Sequence, residues 1–124
     1  MNIKQSFRQF IRRPAILVVT LYTKYIYRQG VDAAERRHRL EGRTIYLASG
    51  SFRPDHLVTY SKPQFKAEKK VYGMQARLLT MQTLKRGCYY YTADQFGNNG
   101  ISEREKEVRR RAFVKERLRL AKLI

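Results

Sequence analysis

The chain has 124 residues, with 27 Lys and Arg against 10 Asp and Glu and a net charge of +17. A domain this small repels itself at that charge unless a polyanion neutralises it, which implies nucleic acid first and an anionic membrane surface next. Hydrophobic residues make up 43%, too many for a fully disordered chain, and the single cysteine, Cys88, excludes an intrachain disulfide.

Residues 1–43 read as an N-terminal helical segment. Lys4, Arg8, Arg12 and Arg13 precede an apolar stretch from Pro14 to Tyr27. The order resembles a secretory signal, but Lys24 interrupts the stretch, tyrosines follow it and no small-residue cleavage site comes after. The stretch is also shorter than the roughly 20 residues a spanning helix needs. The expectation is a buried or interfacial helix in a protein that is not secreted and works in the cytoplasm or a virion. Ile3, Phe7, Phe10 and Ile11 share one helical face, and Pro14 either starts a second helix or kinks a continuous one. Leu17, Leu21 and Tyr25 stand at i, i+4 and i+8, beside Val18, Tyr22 and Ile26. Burying one such Leu or Val stabilises by roughly 1.5–3 kcal/mol, so this broad stripe is expected across the protein's own sheet or against a neighbour. Beyond Gly30 the apolar signal fades to Val31, Ala34 and Leu40, while Arg28, Arg36, Arg37 and Arg39 mix with Asp32, Glu35 and Glu41. Gly42 is a natural stop.

Residues 44–93 read as a small central α+β domain. Thr44–Ala48 alternates like a strand, with Ile45 and Leu47 opposite Thr44 and Tyr46. A loop rich in Ser, Gly and Pro leads to a second strand at His56–Tyr60, so the hairpin is longer than the two-residue type. Ser61 and Gln64 form a capping box for a helix to Tyr72, which buries Phe65 and Tyr72 and turns Lys66, Lys69 and Lys70 outward. Thr80 caps a short helix ending at Gly87, and Cys88–Thr92 is a third strand.

Residues 94–101 read as a flexible connector. Ser102 with Glu105 makes a second capping box, and Glu103, Glu105 and Glu107 suit the positive end of a helix dipole. The helix from 102 toward Lys122 belongs to a C-terminal segment, 102–124, with nine basic residues. Its apolar stripe of Val108, Ala112, Phe113, Leu118 and Ala121 is thin, so it is expected to lie against a partner rather than its own domain.

No catalytic constellation assembles from these residues. His38 sits between arginines, His56 opens a strand, and with one Cys they lack zinc-ligand spacing. Cys88 before three tyrosines suits a half-buried small hydrophobe better than a thiolate. The Gly50 loop lacks the glycine spacing and lysine of a phosphate-binding loop. No enzyme activity, cofactor, metal or small-molecule substrate is expected. What recurs is aromatic beside basic: Phe7-Arg8, Tyr27-Arg28, Phe52-Arg53 and Phe65-Lys66. Cations engage phosphates and flat rings stack bases, so Tyr46, Tyr60 and Tyr89–Tyr91 on a small sheet could form a stacking platform. Plain packing on a pleated sheet explains the same tyrosines.

The block Arg43-Thr44-Ile45-Tyr46-Leu47, a loop, His56-Leu57-Val58-Thr59-Tyr60-Ser61, then Phe65-Lys66 and Lys69-Lys70 resembles small basic phage-encoded proteins of unknown function. The resemblance covers about half the chain and implies a phage origin or a place in a virus particle, without an activity.

The fold class expected is α+β: a two- to three-stranded antiparallel sheet with short helices, flanked by a long N-terminal helix and a basic C-terminal helix. The function expected is that of a highly basic structural or accessory protein that binds nucleic acid or sits in a nucleoprotein or virion assembly with protein partners. The alternatives are a membrane-surface protein using the N-terminal helix, and a capsid or scaffold adaptor meeting acidic protein. The candidate polyanion contacts are Arg8, Arg12, Arg13, Arg36, Arg37, Arg39, Lys66, Lys69, Lys70, Arg109, Arg110, Arg111, Lys115, Arg117 and Arg119.

Overall fold

A computed structural model describes the backbone of residues 3–49, 56–72 and 80–124, and the side chains of residues 13–49, 56–68, 70 and 80–124. The chain is α+β, as expected. Its order is α1 (Ile3–Glu41), β1 (Tyr46–Ser49), β2 (Leu57–Tyr60), α2 (Lys62–Tyr72), α3 (Met81–Gly87), β3 (Tyr90–Tyr91) and α4 (Glu103–Leu120).

One continuous helix spans both N-terminal patterns, with Pro14 inside it. Its 39 residues reach about 58 Å at 1.5 Å per residue. It stops where Gly42 takes a positive φ of 67° and donates its N–H to the His38 carbonyl at 2.7 Å.

The sheet is antiparallel throughout, in the order β2-β1-β3. Tyr46 faces Tyr60 on one side and Tyr91 on the other; Leu47 faces Thr59 and Tyr90. Backbone bonds Tyr89 N–H to Leu47 O (2.7 Å) and Thr92 N–H to Ile45 O (3.0 Å) extend the β1–β3 pairing past the two residues of regular strand. Thr92 is buried without penalty, because its hydroxyl accepts from Ile45 N–H at 2.9 Å.

Helix α1 crosses this sheet at Gly30. A Cβ there would stand 2.9 Å from Leu47 Cδ2 and 3.2 Å from Leu57 Cδ1, so the missing side chain permits the close approach. The core joins α1, the sheet and α4: Tyr27, Val31 and Ala34 from α1, Leu47 from β1 with Ile45 just before it, Tyr90 from β3, and Phe113 from α4. The Tyr27 hydroxyl donates to the Tyr89 carbonyl at 2.7 Å, and burial pushes its pKa well above the ordinary phenol value. Tyr90 is pushed up in the same way, and its hydroxyl donates to Glu35 on α1.

Two expectations are corrected. First, α4 does pack on its own domain: Phe113 and Leu118 are buried, and the Phe113 ring lies 4.9 Å from that of Tyr89 and 6.0 Å from that of Tyr27. Val108, Ala112 and Ala121 face solvent instead. Second, the α1 stripe through Leu17, Leu21 and Tyr25 does not lie across the sheet. The buried side of α1 is Thr23, Tyr27, Val31 and Ala34, and Leu40 is also exposed. Thr23 tolerates burial by donating to the Val19 carbonyl at 2.6 Å.

The caps form as expected. Ser61 N–H donates to Gln64 Oε1 at 3.1 Å, Thr83 N–H to Thr80 Oγ1 at 3.1 Å, and Glu105 N–H to Ser102 Oγ at 3.2 Å. Residues 94–99, read as a connector, close into a hydrogen-bonded turn. Asp94 Oδ1 accepts from Phe96 N–H and Asn98 N–H, both at 2.9 Å, and Gly97 and Asn99 take positive φ values of 77° and 61°. Phe65 is half-buried as expected; Tyr72 and Gly73 lie outside the described residues and side chains.

Candidate functional site

Four carboxylates of the helices are engaged by arginines within a turn. Glu41 pairs with Arg37, Glu105 with Arg109, Glu107 with Arg110 and Arg111, and Glu116 with Arg119. The hydrogen bond from Arg119 holds the Glu116 carboxyl below its ordinary pKa. These contacts sort the candidate cations. Arg37 also donates to the Thr59 carbonyl at 2.9 Å, tying α1 to β2. Arg109 donates to the carbonyls of Lys85 (2.8 Å) and Cys88 (2.9 Å) and lies 5.3 Å from the Tyr91 ring centre. Both arginines hold the fold together rather than reach outward. Arg110 and Arg117 are half-buried.

Arg13, Arg36, Arg39, Lys66, Lys70, Arg111, Lys115 and Arg119 are exposed. The side chains of Arg8, Arg12 and Lys69 lie outside those described. Two rows emerge. On α4, Arg104, Arg111, Lys115 and Arg119 recur at spacings of seven, four and four, which places them along one outer face with Val108 and Ala112 between. On α1, exposed Arg28, Arg36 and Arg39 share the outward side, with Asp32 between the first two. Arg104 was missed in the sequence, and Arg28 was noted beside Tyr27 without being placed among the candidate contacts. The spacing from Arg104 to Arg111 signals the first, and the helical phase shared with Arg36 and Arg39 signals the second.

An open groove of about 600 Å³ lies between the end of α1, β1, the start of α2 and the Asp94 turn. Arg43, Lys62, Tyr46 and Phe96 line it. Phe96 is 75% exposed, a large ring held in water by its turn. The groove's carboxylates are occupied: Glu41 by Arg37, and Asp94 by the amides of its turn, which hold its carboxyl below the ordinary value. Burial raises the Tyr46 phenol, so it stays neutral. Two cations beside two rings can take a phosphate and a flat base together. The tyrosine platform is correspondingly reduced. Tyr60 and Tyr90 are buried, and Tyr91 lies beneath Lys85 and Arg109.

The histidines and the cysteine do not converge. His38 Nδ1 hydrogen-bonds the Arg43 carbonyl at 2.8 Å, His56 is exposed at the start of β2, and Cys88 is buried with its thiol pushed up by that burial. Among the described residues, no three His, Cys, Asp or Glu are grouped to hold a metal ion, and no helix is long and apolar enough to cross a membrane. No protein-family model, curated protein or solved structure matches the chain.

Proposed function

We propose that this protein is a non-enzymatic, nucleic-acid-binding structural or accessory component of a nucleoprotein or virion assembly. The observation that carries the reading is the pair of cationic rows. Arg28, Arg36 and Arg39 on α1 and Arg104, Arg111, Lys115 and Arg119 on α4 face solvent at a net charge of +17, Arg111 and Arg119 while also paired with Glu107 and Glu116. Such rows neutralise phosphates and release counterions, a mode that carries no sequence information. The Arg43–Lys62 groove adds a place for one unpaired base against Phe96, which favours single-stranded segments.

The test has two parts. Nuclease treatment of the native complex should release the protein. Titration against several unrelated sequences should give similar affinities that fall steeply with salt. A strong preference for one sequence, or retention on an acidic protein after nuclease treatment, would replace this reading with a sequence reader or an adaptor.

A further inference from the structure

We infer that the outward face of α1 around Leu17–Tyr25 seats on an anionic lipid surface, with the helix lying in the membrane plane. Between Ala15 and Tyr27 the helix is apolar nearly all round, a pattern that requires cover on every side. The fold covers one side, through Thr23 and Tyr27. The other stays open: Leu17 is 60% exposed, Leu21 58% and Tyr25 57%, with Val18 and Tyr22 beside them. A contiguous apolar patch of this kind marks an interaction surface.

Charge selects the occupant. The first 31 residues hold Lys4, Arg8, Arg12, Arg13, Lys24 and Arg28 and no Asp or Glu. Along the same outward side, the apolar patch runs into exposed Arg28, Asp32, Arg36 and Arg39, three cations to one carboxylate. A second copy is a poor cover. Laid parallel, it sets three arginines on three with only Asp32 among them; laid antiparallel, it sets those arginines against the cationic stretch 4–13. The occupant is therefore anionic beside an apolar layer, which describes a bilayer of acidic lipids.

A partner helix fits less well. Two-helix seams carry charges of both signs on their flanks to set pairing, whereas the Leu17–Leu21 line has Val18 and Tyr25 on one flank and the lone cation Lys24 on the other. Pro14 interrupts the same line one turn earlier. Tyr22 and Tyr25 suit the headgroup level, where an amphipathic ring keeps its hydroxyl wet. Lys24, exposed at the edge of the patch, can extend its stem along the apolar surface and keep its ammonium among the headgroups.

The experiment is co-sedimentation of the full chain with phosphatidylcholine vesicles, with and without phosphatidylglycerol. Binding is expected to the mixed vesicles and not to phosphatidylcholine alone. The double variant Leu17→Asp/Leu21→Asp should keep its circular dichroism and its nucleic-acid affinity while losing about tenfold or more in vesicle affinity. Because the chain has no Trp, Leu21→Trp gives an independent readout: its emission should shift to the blue on adding mixed vesicles. Arg111→Ala/Lys115→Ala should leave vesicle binding unchanged, which separates this face from the row on α4. The inference is overturned by failure of the wild type to bind, by equal binding to both vesicle types, or by undiminished binding of the folded Asp variant. An unshifted Trp emission, or a solution dimer that the Asp variant dissociates, overturns it too.

Discussion

Replacing Phe113 with Ala tests whether α4 belongs to the folded core. The Phe113 side chain is only 2% exposed and stands between Tyr27 and Tyr89, where its ring fills the angle between α1 and the β3 edge. Truncating a buried Phe to Ala costs about 3–5 kcal/mol in lost transfer energy and residual cavity. The loss belongs near the upper end of that range, because two aromatic contacts, each worth about 0.5–1.5 kcal/mol beyond area, go with it. Against a total stability of about 5–15 kcal/mol, that change unfolds a large fraction of a marginal domain. Urea denaturation followed by far-UV circular dichroism measures it as a shift in midpoint at unchanged slope. Val108→Ala on the same helix is the control: its side chain is 54% exposed, and the expected change lies within about 0.5 kcal/mol. A loss below about 1 kcal/mol for Phe113→Ala would refute the packing of α4 described above. By the same reasoning, deletion of residues 102–124 removes Phe113 and Leu118 together and should unfold the sheet, not merely strip the chain of a binding helix.

Further outcomes follow from individual contacts. Gly30→Leu should destabilise the fold by about 1–3 kcal/mol in the same urea assay, because its side chain enters space held by Leu47 and Leu57. Asp94 has a folded-state pKa below its ordinary value of 3.8, chiefly through the backbone hydrogen bond from Asn98. Its stabilisation of the turn is therefore fully present above that value and lost as pH falls through the lower, folded one. Hydrogen exchange at the Phe96 and Asn98 amides should show the turn loosening only in that acidic window, and Asp94→Ala, which removes the acceptor, should open it at neutral pH. Cys88 is buried with a raised thiol pKa, so a thiol reagent at mildly alkaline pH should modify it much more slowly in the native chain than in urea. Phe96→Ala should weaken single-stranded nucleic-acid binding by about 1–3 kcal/mol and leave duplex binding nearly unchanged.

Local chemistry was legible in the sequence, and tertiary choice was not. Ser61 with Gln64, Thr80, Ser102 with Glu105, and Gly42 announced their helix ends because each signal is a hydrogen bond or a backbone angle formed within a few residues. The strands around Ile45–Leu47 and Leu57–Tyr60 announced themselves by alternation. The orientation of α1 was hidden. Its most hydrophobic line, Leu17–Leu21–Tyr25, faces outward, while the buried line contains Thr23, Gly30 and Ala34. Small residues let the helix approach the sheet closely, and hydropathy alone does not report closeness of approach. Phe113 was misjudged for a related reason: the aromatic cluster with Tyr27 and Tyr89 joins positions distant in sequence. Of the candidate cations, exposed Arg36, Arg39, Lys115 and their neighbours followed from composition. The internal roles of Arg37 and Arg109 depend on carbonyls that other elements bring to them.

The most direct test of the nucleic-acid reading is the salt dependence of single-stranded binding, compared between the wild type and the variant Arg104→Ala/Lys115→Ala. If Arg28, Arg36 and Arg39 together with Arg104 and Lys115 neutralise about five phosphates, log affinity should fall against log salt with a slope near −3.5. The double variant should flatten that slope by roughly 1–2, with a similar loss on every sequence tried. A wild-type slope near zero, or a double variant indistinguishable from the wild type, would contradict the account.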